Sequence, residues 1–94
     1  MPVLLSEEEI AQKLPSASGW ERQGTEITRR LKFADFKEAM RFVNRVADLA
    51  EEANHHPDID IRWNKVLLRL STHSKGGLTD MDFTLAEEIN RCAS

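Results

Sequence analysis

Residues 54–73 read Asn-His-His-Pro-Asp-Ile-Asp-Ile-Arg-Trp-Asn-Lys-Val-Leu-Leu-Arg-Leu-Ser-Thr-His, and this stretch decides the architecture. Ile59, Ile61 and Trp63 alternate with Asp58, Asp60 and Arg62. After an Asn64-Lys65 turn, Val66, Leu68, Leu70 and Thr72 alternate with Leu67, Arg69, Ser71 and His73. A period of two on both sides of a turn signal predicts two half-buried strands joined as a hairpin. Such a hairpin folds position 73 back toward positions 55 and 56. The three histidines of the chain, His55, His56 and His73, then meet at one rim of a sheet, each at an element boundary.

Immediately upstream lies the clearest helix. Asp35 is a good N-cap, with Glu38 at capping-box spacing. Phe36, Ala39, Met40, Val43, Val46, Ala47, Ala50 and Ala53 recur at intervals of three and four, which predicts one continuous apolar face running to about Asn54. Pro57 disfavours helix at the residue before it, so the chain turns at the histidines. A second hairpin is read over Gly19 to Phe33, with a first strand around Trp20 to Gln23 and a turn at Gly24-Thr25. Its return strand runs from Glu26 to Phe33, where Ile27, Leu31 and Phe33 alternate with Thr28, Arg30 and Lys32. Arg29 falls on the apolar side.

Two further helices flank these pieces. Ser6 and Glu9 form a capping box, with Leu5 and Ile10 at staple positions, and Pro15 ends the first helix. Thr79 caps the last, with Asp82 three residues in and Leu78 and Phe83 as a second staple; Leu85, Ala86, Ile89 and Cys92 face inward. The order is α-β-β-α-β-β-α. We expect one α+β domain over residues 1–94, a four-stranded antiparallel sheet with its helices packed on one face.

Composition narrows the function classes. The chain has 94 residues and a net charge of −3, with 13 Lys and Arg against 16 Asp and Glu. A nucleic-acid binder normally shows a basic patch or stripe, and the basic residues here are scattered along the sequence, so direct nucleic-acid binding is not expected. The single Cys92 excludes an intramolecular disulfide and a multi-cysteine zinc site. No stretch approaches the ~20 apolar residues of a membrane helix, and the first residues lack signal-peptide features. A cytoplasmic protein without membrane contact is expected. Two Trp and four Phe in so small a domain suggest neighbouring subunits that complete its burial.

Imidazoles titrate near neutrality, so one site can hold both a proton donor and a proton acceptor. Glu51, one turn before His55, and Asp82, on the first turn of the last helix, are carboxylates placed to orient them. Each has a plainer role open to it, Glu51 as a solvated helix residue and Asp82 as an acid at a helix N-terminus. Three histidines and a carboxylate could bind zinc. Adjacent histidines in extended chain project to different sides, and no His-x-x-x-His helical pair is present, so no metal is expected.

The run Glu51-Glu52-Ala53-Asn54-His55-His56-Pro57, followed at these intervals by Trp63, His73 and Asp82, resembles the signature of the pterin-4a-carbinolamine dehydratases. Gly19-Trp20, Asn64-Lys65-Val66 and Leu70-Ser71-Thr72-His73 agree, and the resemblance covers about Ser6 to Ala93. Ala53 departs from it, being smaller than the residue expected before Asn-His-His. The resemblance implies a metal- and cofactor-free enzyme, a 4a-hydroxytetrahydrobiopterin dehydratase, that converts 4a-hydroxytetrahydropterin to quinonoid dihydropterin and water in tetrahydrobiopterin recycling. It also implies a homodimer or homotetramer. Carried over, His55 and His73 are the acid and base, with His56 assisting and mainly binding substrate. Glu51, Asp82, Pro57 and Trp63 complete the expected pterin site. The same resemblance implies an alternative, a dimerisation-cofactor module that binds a transcription factor, as animal members do.

Overall fold

The computed structural model describes residues 3–93. Helix α1 spans Glu7–Lys13, strand β1 Glu21–Gln23, β2 Glu26–Lys32, helix α2 Phe36–Ala53, β3 Asp58–Arg62, β4 Lys65–Leu70 and helix α3 Asp80–Ala93. The four strands form one antiparallel sheet in the order β1-β2-β4-β3. Ile27, Val66, Leu68 and Leu70 on one sheet face join Ile10, Phe42, Val46, Phe83 and Ile89 of the three helices in a single core. No described helix packs on the other face.

Local signals set the element ends. Ser6 and Glu9 make the reciprocal capping box at α1. Asp35 accepts a hydrogen bond from the Glu38 amide, but the Glu38 side chain turns outward to Arg41 at 3.3 Å instead of closing a box. Helix α1 stops at Lys13, and Pro15 sits inside a following 3₁₀ turn, Leu14–Ser16. Both first-hairpin strands are a residue shorter than expected, since Trp20 is buried in the core before β1 begins and Phe33 follows β2. Phe33 instead donates its amide to the Asn64 carbonyl.

The second hairpin turns one residue earlier than the sequence suggests. Arg62 pairs with Lys65, so the two-residue turn is Trp63-Asn64, with Trp63 in the left-handed region at φ 52°. Asn64 is the cause: its side-chain amide donates to the Phe33 carbonyl at 2.8 Å, so it lies buried against the end of β2. Trp63 is thereby pushed out of the strand, 66% exposed.

Helix α2 carries two adjoining apolar stripes where one was expected. Ala39, Phe42, Val43, Val46 and Ala50 enter the core, whereas Phe36 is 50% exposed and Ala47 and Ala53 are exposed. Phe42 and the half-buried Leu49 belong to the inner stripe, which the three-and-four spacing alone does not single out. Arg29, on the inward side of β2, bonds Asn90 of α3, which also accepts from the Trp20 indole at 2.9 Å and donates to the Ser18 carbonyl. Burial lowers the pKa of Arg29. The guanidinium lies against Gly19 at φ 85°, where a Cβ would come 3.1 Å from Arg29 Nε, so this turn needs glycine twice over. On the far side, Arg22 of β1 grips Glu7 of α1 through two bonds and holds its carboxyl below the usual range. That tether is therefore still in place as pH falls through the ordinary carboxylate range and is lost only as pH falls through the lowered pKa of Glu7.

Candidate active site

Three chain segments end at one rim of the sheet. Helix α2 terminates at Asn54, which takes the left-handed C-cap conformation at φ 51° and sends the chain sharply aside. His55 follows, its amide donating to the Ala50 carbonyl at 3.1 Å. Strand β4 ends nearby, and Thr72 pairs with Gly77 to clasp a short loop that holds a 3₁₀ turn, His73–Lys75. Helix α3 begins at the same place. The strand expected to carry His73 thus stops at Leu70, and the imidazole stands on the loop instead.

The centre of the site is a buried carboxylate. Asp82 is fully inaccessible and only accepts hydrogen bonds. Its Oδ1 lies 2.6 Å from His55 Nε2. Its Oδ2 takes the Thr72 hydroxyl and the Thr79 amide, each at 2.9 Å. Thr79 and Thr72 hydroxyls are 2.8 Å apart, and Thr79 Oγ1 accepts from the Met81 amide at 3.2 Å. The donors run one way, from Met81 through Thr79 and Thr72 to the carboxylate. His55 must then present Nε2–H to Asp82, which leaves Nδ1 as the imidazole nitrogen without a protein partner. Asp82 therefore fills both roles open to it in the sequence: one oxygen caps α3 and the other orients a histidine.

His56 and His73 are arranged differently. His56 is exposed and meets Glu51 Oε2 at 2.5 Å, an outward pair that solvent screens. His73 is exposed and has no side-chain partner among the described residues. A cleft of about 450 Å³ lies between them, lined by Asn54, His55, His56, Ser71, Thr72, His73, Ser74 and Met81. A smaller depression of about 240 Å³ opens on the other side of His55, beside Ala53, Met81 and Leu85.

The structure thus brings together His55, His56, His73 and Asp82, with Glu51 at the margin and Pro57 half-buried just beyond. Trp63 is not among them. It sits at the opposite end of β3, roughly 20 Å away at strand spacing, so within one chain it does not reach the cleft. The sequence alone did not mark Thr72, Thr79 and Met81 as site residues. A signal for Thr72 is present in the sequence: it is the one polar residue in the alternating series Val66, Leu68, Leu70, Thr72.

Among the described residues, no group of three or more His, Cys, Asp or Glu side chains is disposed to hold a metal ion. Nor is any described helix long and apolar enough to cross a membrane.

Residues 3–92 match the family model of the pterin 4 alpha carbinolamine dehydratases. The chain belongs to this family. A Thermomicrobium roseum protein named for the same activity is 53% identical over 90 residues, 96% of this chain and 97% of the relative. A similarly named Mycolicibacterium smegmatis protein is 47% identical over 91 residues, covering 97% of each. Among solved structures, a Brucella melitensis transcriptional coactivator/pterin dehydratase superposes with a TM-score of 0.94 at 35% identity, covering 98% of this chain and all of the other. A pterin dehydratase-like RuBisCO assembly factor of the alpha-carboxysome shares the fold, with a TM-score of 0.71 at 22% identity over 84% of this chain and 94% of that one. The α+β architecture of the pterin dehydratases is therefore the architecture of this chain.

Proposed function

We propose that this chain dehydrates a 4a-hydroxytetrahydropterin to the quinonoid dihydropterin, with its histidines as acid and base. The observation that carries the reading is the buried His55–Asp82 pair at the wall of a cleft that also holds His56 and His73. The reaction is an elimination. The C4a–O bond breaks as a proton reaches the departing hydroxyl, which leaves as water. A ring N–H proton is removed and its electron pair forms the new C=N bond.

Two proton carriers and a binding group are needed, and the cleft offers them. His55, fixed by Asp82, presents Nδ1. His73, on a loop and with no side-chain partner among the described residues, meets the other reacting atom from its own part of the cleft wall. His56, steadied by Glu51 and beside Pro57, binds the polar edge of the pterin. No metal and no organic cofactor enter this scheme, and the product serves tetrahydrobiopterin recycling in the cytoplasm. The direct test is spectrophotometric: formation of quinonoid dihydropterin from a freshly generated carbinolamine should be accelerated by the purified protein. No acceleration over the spontaneous reaction would refute the reading.

The outer stripe of α2 favours self-association over a free monomer. Phe36, Met40 and Ala47 lie along one side of the helix, Phe36 half exposed at its start and Ala47 exposed, while Val43 borders this stripe from the core. We expect a homodimer or homotetramer built on this stripe. Phe36→Glu should weaken association by roughly 10- to 10²-fold, the order expected for losing one buried aromatic side chain. Sedimentation equilibrium would measure it, and a wild-type chain that stays monomeric at all concentrations would refute it.

A further inference from the structure

The sheet face turned away from the helices carries a separate feature. The strand register sets Lys32 of β2, Lys65 of β4 and Arg62 of β3 side by side, one row of cations across three strands. Two residues further from the hairpin tip, Arg30 of β2 lies opposite Leu67 of β4, which lies opposite Asp60 of β3. These residues and Arg69 line a depression of about 450 Å³ with Leu67 as its apolar floor. Five of the chain's 13 Lys and Arg stand there, against one of its 16 Asp and Glu. Positive charge scattered in the sequence is gathered by the fold.

Like charges directly opposite one another destabilise a sheet. Relief within the chain is slight: Arg62 meets Asp60 at 3.3 Å and Arg69 meets Glu26 at 3.6 Å, both in solvent. Arg30, Lys32 and Lys65 have no ion-pair partner among the described residues. Charges on edge strands protect sheets from pairing with one another, but that accounts only for Arg62, because β2 and β4 are the inner strands.

We propose that this row binds a compact polyanion, a small molecule carrying two or three linked phosphate groups. At a strand spacing of ~4.8 Å the row is roughly 10 Å long, so a single phosphate reaches only neighbouring cations while a short phosphate chain meets all three. The Arg62 fork and the two ammonium groups are suited to phosphate oxygens. The charge pattern favours a compact ligand over a polymer. At the other end of the same face the register aligns Glu21, Thr28, Arg69 and Asp58, where carboxylates outnumber cations. A nucleic-acid strand continuing along the sheet would run into them, and no aromatic side chain lines the depression to stack a base.

Calorimetric titration with inorganic tripolyphosphate at low ionic strength tests the site. Saturable binding, one ligand per chain, should weaken as salt is added. Lys32→Thr/Lys65→Thr should weaken it about tenfold or more. The charge-matched Lys37→Gln/Arg45→Gln, on exposed positions of α2, should change it by less than about twofold. Lys65→Thr alone should raise the thermal midpoint in ligand-free buffer, and tripolyphosphate should stabilise the wild type more than this variant. Equal losses in the two double variants would reduce the effect to net charge and overturn the proposal. So would an absence of saturable binding, or a single-stranded oligonucleotide binding more than about tenfold tighter than tripolyphosphate. None of these readouts depends on the dehydratase reading.

Discussion

Asp82→Asn is expected to leave the chain folded and to lower dehydration turnover by roughly 10²- to 10⁴-fold. The Thr79 amide and Thr72 hydroxyl both donate toward one side of residue 82. An asparagine there must keep its single carbonyl oxygen on that side, which turns its NH₂ group toward His55. Two donors would then face each other, so the imidazole responds by moving its proton from Nε2 to Nδ1. The nitrogen left as an acceptor by the Asp82 bond becomes a donor, and the proton traffic assigned to His55 is blocked. Nitrogen shifts of the imidazole should report the tautomer change beside the rate loss. Turnover within about threefold of wild type would show that His55 orientation does not matter for the reaction. The alanine variant is a poorer probe, because it strips the Thr79 amide, the Thr72 hydroxyl and His55 of an acceptor at once. A loss of about 3–5 kcal/mol is expected there, a large part of the roughly 5–15 kcal/mol that holds a small domain together.

His73→Ala should cost on the order of 10²-fold or more in turnover while moving the thermal midpoint by no more than a few degrees. The imidazole is exposed and makes no bond to another described side chain, so its removal leaves no orphaned group and no cavity. The same change at His55 should match the rate loss but also destabilise, since it uncovers the buried Asp82. His56→Ala should act mainly on KM, consistent with a binding group paired to Glu51 at the surface. This three-way pattern separates chemistry from packing. Near-wild-type turnover in both the His55 and His73 variants would refute the acid–base assignment outright.

Much of the fold, and part of the site, is legible in the amino-acid sequence alone. Period-two alternation in 58–73 and capping at Ser6, Asp35 and Thr79 define the element order, and the inward face of β4 is as expected, with Val66, Leu68 and Leu70 buried; Thr72, two residues past the end of the strand, is buried as well. The departures have physical causes. The Asn64 side chain, by bonding to a carbonyl on β2, sets the turn one residue early and expels Trp63. No local rule contains that tertiary bond. Helix α2 has apolar residues on two neighbouring sides, and periodicity alone cannot say which of them meets the sheet. The sequence also spreads five cations over three separate segments, and only strand register shows three of them abreast. At the site, spacing predicts the convergence of 55, 56 and 73. It does not reveal that one carboxylate serves both the helix cap and a histidine, because Asp82 and His55 lie 27 residues apart.

That shared carboxylate makes the backbone amide of Thr79 an observer of the histidine. The amide ends on Asp82 Oδ2 while the imidazole ends on Oδ1, so the carboxylate cannot swing toward solvent without freeing both. Hydrogen exchange at this one amide should therefore report, without substrate or assay, how often the site is assembled. A variant or solution condition that speeds exchange at Thr79, while the amides of β4 stay protected, has loosened the first turn of α3 alone. In such a molecule the sheet persists while His55 has lost its compass.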